Sequence, residues 1–270
     1  MNKRVKYLLL VLMTALVLFL IPACDADKKA AEEAFNAAVS SLEQRNEELD
    51  TAVASLQTTL DSDTKPLDSS TTDAAYAAIK EAEAAKVEAP DIAKSTEEIT
   101  EQINSLDSVD YSAQLAALQQ AQSSLEISIK QNEQVTNPSE EFVVQRLSEV
   151  AHVSSPTPAT EDNDPNGKLH KQGGYTSAVF FASDYVDQSK MLHDTVIENG
   201  TNGGGCVEVF ANVSDATERD AYIGMFDSTL SPGSHHVVGT CVIRVSDEMT
   251  ATQQQEVEAA IVDSLIKIEQ

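Results

Sequence analysis

The sequence predicts an antiparallel, coiled-coil-like three-helix bundle, followed by a small α/β domain with a three-stranded, mostly parallel sheet. Two observations indicate this order. All ten glycines lie at Gly167 or later, and the chain before them is rich in Ala, Glu, Gln, Ser and Leu, which favour helices. Beyond residue 174, short apolar segments alternate with helical patterns, which is typical of strand–helix crossover units.

The first 23 residues have the pattern of a secretory signal peptide, since three basic residues precede an apolar run from Tyr7 to Ile21. The run ends in Ile-Pro-Ala-Cys, which resembles the lipobox of bacterial lipoproteins, although Pro22 departs from the usual small residue. The resemblance implies cleavage before Cys24, acylation of its thiol, and a location on the extracytoplasmic face of the cell membrane. The alternative is an uncleaved N-terminal anchor, which also places the chain outside the cytoplasm.

The charge of the chain excludes one class of partner. There are 44 acidic and 18 basic residues, and the net charge is −26. Nucleic acid is bound by clustered Lys and Arg, and no such run follows the signal peptide. The chain also lacks the basic face that would attract anionic lipid, so we expect the membrane contact to be the lipid anchor at Cys24.

Residues 24–136 are predicted to form the helical bundle, as a stalk. Phe35, Leu42, Leu49 and Leu56 recur every seven residues, which is typical of a helix packed on its neighbours. Asn46 is the polar member of the second stripe, and it either sets a coiled-coil register or bonds to a neighbouring helix of the same chain. The second helix is broken or kinked at Pro90, and its apolar stripe is Tyr76, Ile79, Val87, Ile92, Ile99, Ile103 and Leu106. The third helix runs from about residue 110 to 134, and its stripe is Tyr111, Leu115, Leu118, Leu125 and Ile129.

Residues 137–174 are predicted to hold a short helix, 139–150, and a linker that contains one motif with chemical content. Asp162, Asp164 and Asn166, with Gly167 after them, match the first half of a calcium-binding loop, in which oxygen ligands alternate along the chain. The twelfth position is Gly173 instead of the usual Glu, so calcium would need a carboxylate from elsewhere. The alternative is a turn rich in Asp, Asn, Pro and Gly.

Residues 175–270 are predicted to form the α/β domain. Its strands are expected at 175–182, 206–213 and 236–245, with helices at about 214–227 and from residue 250 onward, the last begun by a capping box of Thr250 and Gln253. Cys206 and Cys241 fall in the second and third strands. Because the domain is predicted to lie outside the cytoplasm, they are candidates for a disulfide, and two buried free thiols are the alternative.

No catalytic pattern is evident in the sequence. His235 and His236 are adjacent in a predicted strand, so their side chains point to opposite faces and do not form one metal site. There is no Gly-x-Ser-x-Gly elbow, and the cysteines lie within strands. The sequence therefore predicts no catalytic residues and no certain cofactor.

Four segments carry a family resemblance: EDNDPNGKLHKQGGY at 161–175, VDQS at 186–189, GGGCVEVF at 203–210 and HHVVGTCVIRVSDEMTATQQ at 235–254. They resemble surface lipoproteins of anaerobic Gram-positive bacteria, chiefly gut actinobacteria. The resemblance implies a lipid-anchored exported protein of undefined function, and it brings no catalytic residues.

Two functions from different classes follow. The first is a surface interaction module, in which the helical stalk presents the α/β domain to an extracellular protein, glycan or peptide. The second is an envelope enzyme, such as a hydrolase, with a site between residues 200–205 and His235. A solute-binding lipoprotein is a third alternative, although such proteins have two larger lobes around a cleft.

Overall fold

A computed structural model describes residues 24–227 and 233–269, so the predicted signal peptide lies outside the described residues. The chain divides into two units. Within the described residues, one unit contains 24–51 and 84–113, and the other contains 52–83, 114–227 and 233–269. The second unit thus contains parts of the N-terminal helices together with the C-terminal sheet.

The N-terminal part contains four helices: α1 (Cys24–Leu60), α2 (Ser70–Ala85), α3 (Thr96–Asp107) and α4 (Ser112–Gln134). The predicted three-helix bundle is therefore wrong. Residues 86–95 are not helical, because Pro90 disfavours helical backbone at the residue before it and cannot itself donate a helical hydrogen bond. Ser95 and Glu98 then form a capping box that begins α3 as a separate helix.

In the first unit, the heptad stripe of α1 packs on α3. Phe35 and Leu42 are buried together with Ile99 and Leu106. Arg45 of α1 donates to the carbonyls of Leu106 and Val109 at the end of α3, at 2.8 and 2.9 Å. A cation at the C-terminal end of a helix satisfies carbonyls that have no partner within the helix.

Asn46 bonds within its own chain, but its partners Val87 and Tyr111 lie after α2 and before α4, and not in a neighbouring helix as one alternative predicted. Its Nδ2 donates to the Val87 carbonyl at 3.0 Å, and its Oδ1 accepts from the Tyr111 hydroxyl at 2.8 Å. The same hydroxyl accepts from the Val87 N–H at 2.9 Å. The polar member of the stripe thus binds the segment that follows α2.

The face predicted for α2 is wrong. Tyr76 is 51% exposed and Val87, which lies beyond the helix, is 37% exposed. The buried residues of α2 are Ile79 and three alanines, Ala75, Ala78 and Ala82. A search for large apolar residues misses such a face, because alanine is common on both the buried and the exposed sides of helices.

The C-terminal part contains a five-stranded sheet in place of the three-stranded, mostly parallel one that was predicted. Its strands are β1 (Val153–Pro158), β2 (Ser177–Ser183), β3 (Gly204–Val209), β4 (Ser234–Val238) and β5 (Cys241–Val245). The order is β1-β2-β3-β5-β4, and every neighbouring pair is antiparallel. The parallel α/β prediction is therefore wrong.

Two local features explain the difference. The segment predicted as one strand, 236–245, is a hairpin whose two-residue turn begins at Gly239, with a φ of 58°. A side chain there would meet Val135, since a Cβ would lie 2.3 Å from its Cγ2. The predicted linker contains β1, an edge strand that holds Pro156 and Pro158, where a missing N–H is tolerated.

Helices cover both faces of the sheet. On one face lie α5 (Glu140–Ser148) and α7 (Ala251–Ile266), and on the other α6 (Val213–Gly224) with the loops 159–175 and 196–197. The capping box predicted at Thr250 and Gln253 is confirmed. Side chains of β2 alternate between the two cores, with Val179 and Phe181 toward α5 and α7, and Ala178 and Phe180 toward α6.

Within the described residues, none of the helices combines the length and the apolar character that crossing a membrane requires.

Candidate functional site

A buried carboxylate lies on the α6 face of the sheet. Glu208 of β3 is fully buried and accepts from Arg219 of α6 through Nε at 2.7 Å and Nη2 at 2.8 Å. Arg244 of β5 donates to it through Nη1 at 3.2 Å. Two guanidinium groups thus compensate one carboxylate, which is the condition for keeping such a charge buried.

The strand register explains how these residues meet. Glu208 pairs with Val242, and Arg244 lies two residues farther along β5, so the two charged side chains are diagonal neighbours on one face. Arg219 reaches the same carboxylate from the helix above. Arg244 Nε is buried and has no hydrogen-bond partner among the described residues.

A second network lies beside the first, in the loop before β2. The Asp164 carboxylate accepts from the N–H groups of Asn166, Lys168 and Leu169 at 3.1, 2.6 and 2.9 Å, and from the Tyr175 hydroxyl. Burial by itself raises the pKa of Asp164, but these donors outweigh it, so its pKa lies below the ordinary value. Burial, and then the bond to Asp164, raise the pKa of the Tyr175 hydroxyl.

The side chains of the predicted calcium loop make hydrogen bonds within the protein. Asp164 was expected to be a calcium ligand, but both of its oxygens already accept hydrogen bonds from the turn that it organises. Asp162 is exposed, and Asn166 donates its Nδ2 toward Tyr175 and Glu208 at 3.4 and 3.5 Å. No group of three acidic, His or Cys side chains suited to a metal is found in the part of the chain that the structure describes. Asp164 thus organises the turn, and calcium binding at this loop stays a prediction.

A cavity of about 410 Å³ opens next to both networks. Its wall includes Tyr175 and Phe210, a buried edge-to-face pair with ring centroids 6.0 Å apart, and Arg219. The lining also includes Lys168, Asp215, Glu218 and Tyr222. Asp215 lies three positions before Glu218 and four before Arg219, and Tyr222 lies four and three positions after them, so all four border one face of α6.

Two side chains in the wall of this cavity are held in place by hydrogen bonds to carboxylates behind the wall. Arg219 is fixed by two bonds to Glu208, and Tyr175 by its bond to Asp164. Tyr222 differs, because it is 52% exposed and lies at the open side. A rigid, largely pre-formed wall with a few polar groups is typical of small-molecule sites.

His235 and His236 point to opposite faces of the sheet, as predicted. His236 lies 3.9 Å from Glu258 of α7. His235 lies between two carboxylates, with Nδ1 2.6 Å from Asp220 and Nε2 3.2 Å from Asp227. Burial by itself lowers the pKa of His235, but these two bonds and charges outweigh it and raise its pKa above 6.5.

The two segments of the predicted hydrolase site are separated by one strand of the sheet. Strand β5 lies between β3, which contains Gly204 and Gly205, and β4, which contains His235. Both ring nitrogens of His235 are also engaged by Asp220 and Asp227, so neither is available as a base.

The two strand cysteines are not brought together. Cys206 lies in the core on the α6 face and Cys241 in the core on the α7 face, and both are free and buried. Although β3 and β5 are neighbours, thiols on opposite faces of a sheet cannot form a disulfide. Burial raises the pKa of each thiol to about 12.

The sequence reasoning missed Glu208, Arg219 and Arg244. A signal was present, because Cys-Val-Glu-Val and Cys-Val-Ile-Arg-Val each contain one charged residue within an apolar strand, and the two charges are opposite. Opposite charges in two buried strands indicate an ion pair. The contribution of Arg219 has no such signal, since Arg is ordinary on a helix surface.

Comparisons with models of protein families, with curated proteins and with solved structures gave no match to this chain.

Proposed function

We propose that this protein is a lipid-anchored binding module on the extracytoplasmic face of the cell membrane. The basic start, the apolar run and the cysteine at its end support the location. Two acyl chains on Cys24 would anchor the chain stably, whereas one chain gives only marginal binding.

The anchor is tested by expressing the full-length chain in a Gram-positive host and comparing it with Cys24→Ser. We expect the wild-type chain in the membrane fraction, with an N-terminal peptide whose mass includes a diacylglyceryl group on Cys24. Cys24→Ser should lose this group, while Cys206→Ser, which changes a buried thiol, serves as the matched control and should retain it. An N-terminal peptide that still contains the leader would support the uncleaved anchor instead.

We propose that the ligand binds in the cavity beside α6. The observation that carries this proposal is a wall whose charged and aromatic groups are fixed by buried partners, with Glu208 holding Arg219 and Asp164 holding Tyr175. The carboxylates of Glu208 and Asp164 are committed to these structural bonds, so neither serves as a general base. A general base needs a free lone pair directed at the substrate.

The binding site is tested with the full-length chain in detergent and a defined panel of free amino acids, dipeptides, monosaccharides and disaccharides. Saturable binding of at least one compound by calorimetry is expected, and Tyr222→Ala should weaken it. Tyr76→Ala is the matched control, because Tyr76 is 51% exposed and Tyr222 52%, and only Tyr222 lines the cavity. Equal effects of the two substitutions, or no binding by any compound, would contradict the proposed site.

A further inference from the structure

The charged groups that line the cavity balance one another. Lys168 and Arg219 contribute two positive charges to the lining, and Asp215 and Glu218 contribute two negative charges. Behind the lining, the charges of Glu208 and Arg244 cancel, and the Asp164 carboxylate, which accepts from the Tyr175 hydroxyl, adds one negative charge. A ligand with a net charge would leave one of these groups without compensation, which is costly in a partly desolvated site.

The positive groups of the lining have hydrogen-bond donors that no described residue accepts from. Arg219 uses Nε and Nη2 for Glu208, and its Nη1 makes no hydrogen bond to any described residue. Lys168 is exposed and forms no ion pair within the described part of the chain. Arginine and lysine together provide the donors that bind a carboxylate.

The negative groups lie one helical turn apart on α6. Glu218 is exposed, and Asp215 shares one oxygen with the Asn212 side chain at 2.9 Å. Carboxylates close to aromatic rings provide the surroundings that bind an ammonium group. The half-exposed ring of Tyr222 supplies apolar surface in the same cavity, whereas the rings of Tyr175 and Phe210 are almost fully buried behind it.

The charge of the whole chain is a further constraint. A net charge of −26 repels a simple anion before it reaches the cavity, although salt screens this repulsion beyond about 8 Å at physiological ionic strength. A ligand that carries both charges avoids the repulsion. The volume, about 410 Å³, lies in the range of small-molecule sites, roughly 300–1,000 Å³.

We infer that the cavity binds a zwitterionic amino acid or short peptide with an apolar side chain, whose carboxylate meets Arg219 and Lys168 and whose ammonium meets Asp215 and Glu218. This inference rests on the proposed function, because it names the ligand class of the same site. The side chain of the ligand packs on the exposed ring of Tyr222.

The test uses the full-length chain in detergent and calorimetric titration with three probes: free phenylalanine or its dipeptide, the N-acetyl form, and the C-terminal amide. The free form is expected to bind about tenfold more tightly than either blocked form, because each block removes one charge-assisted contact. Lys168→Gln should weaken binding of the free form about threefold and leave binding of the amide unchanged. Glu218→Gln should also weaken binding of the free form about threefold, and it should leave binding of the N-acetyl form unchanged.

Two matched controls belong to the test. Lys171→Gln changes an exposed lysine in the same loop, and Glu248→Gln changes an exposed glutamate; neither residue lines the cavity. Both should bind the free form as the wild type does. Far-UV circular dichroism checks that the four variants fold, which is expected because all four residues are exposed.

Each of the other outcomes has its own meaning. Equal binding of the free and blocked forms would overturn the zwitterion while leaving the cavity as a binding site. Binding of a saccharide alone, weakened by Tyr222→Ala, would also overturn this inference and would support the proposed function. Binding of no compound at all would overturn both.

Discussion

Substituting Glu208 by Gln tests the buried ion network most directly. The change keeps the shape of the side chain but removes the charge that two guanidinium groups share, at a residue that is fully buried. Arg219 and Arg244 would remain 14% and 15% exposed, without a compensating carboxylate. Breaking a buried pair by removing one partner costs about 3–5 kcal/mol, so Glu208→Gln should lower the free energy of unfolding by that amount.

The measurement is urea denaturation followed by circular dichroism, with a thermal melt as a second readout. A loss of this size corresponds to a fall in melting temperature of roughly 6–20 °C. Glu248→Gln, an exposed glutamate, is the control and should change the free energy of unfolding by less than about 0.5 kcal/mol.

A triple variant, Glu208→Leu with Arg219→Met and Arg244→Met, separates the charge from the packing. Because the desolvation cost of all three groups disappears, it should be more stable than Glu208→Gln. If Glu208→Gln lies within about 1 kcal/mol of the wild type, the carboxylate does not compensate the two arginines and the reasoning fails.

Three further predictions concern the loop, the histidine and the thiols. Asp164→Ala should destabilise the fold by about 1–3 kcal/mol, because the acceptor for the Tyr175 hydroxyl and three N–H groups is lost. The loss should be equal in EDTA and in millimolar calcium. A melting temperature of the wild type that rises with calcium would instead support the calcium site. The raised pKa of His235 contributes stability that is complete below pH 6.5 and is lost as pH rises through the raised pKa. His235→Gln should therefore make the melting temperature less dependent on pH in that window. Cys206 and Cys241 should react with a thiol reagent only in denaturant, and a melting temperature lowered by reductant would contradict their being free.

The helices could be predicted from the sequence to a useful degree. The seven-residue stripe of Phe35, Leu42, Leu49 and Leu56 is buried as expected, and the capping box at Thr250 begins α7. Both signals are local, because helix periodicity and capping depend on residues within two turns of one another. The alanine face of α2 was not predicted, since only its partners distinguish a buried alanine from an exposed one.

The sheet could not be predicted in the same way. A strand covered on both faces is apolar at every position, whether its neighbours are parallel or antiparallel, so Ser177–Ser183 does not indicate its own pairing. Pairing is decided by contacts distant in the chain, such as that between Val209 and Cys241. The sequence predicts a continuous strand at the Gly239 hairpin, because a turn of only two residues hardly interrupts the apolar pattern.

The sequence by itself determined the Gly-free helical part, the positions of most helices, the opposite directions of His235 and His236, and the acidity of the whole chain. Only the tertiary structure decided that β3 and β5 are antiparallel neighbours, which separates the two cysteines and brings Glu208 to Arg244. The physical reason is range: helical periodicity arises within a few residues, whereas a buried charge is stable only beside partners that the fold brings from elsewhere in the chain.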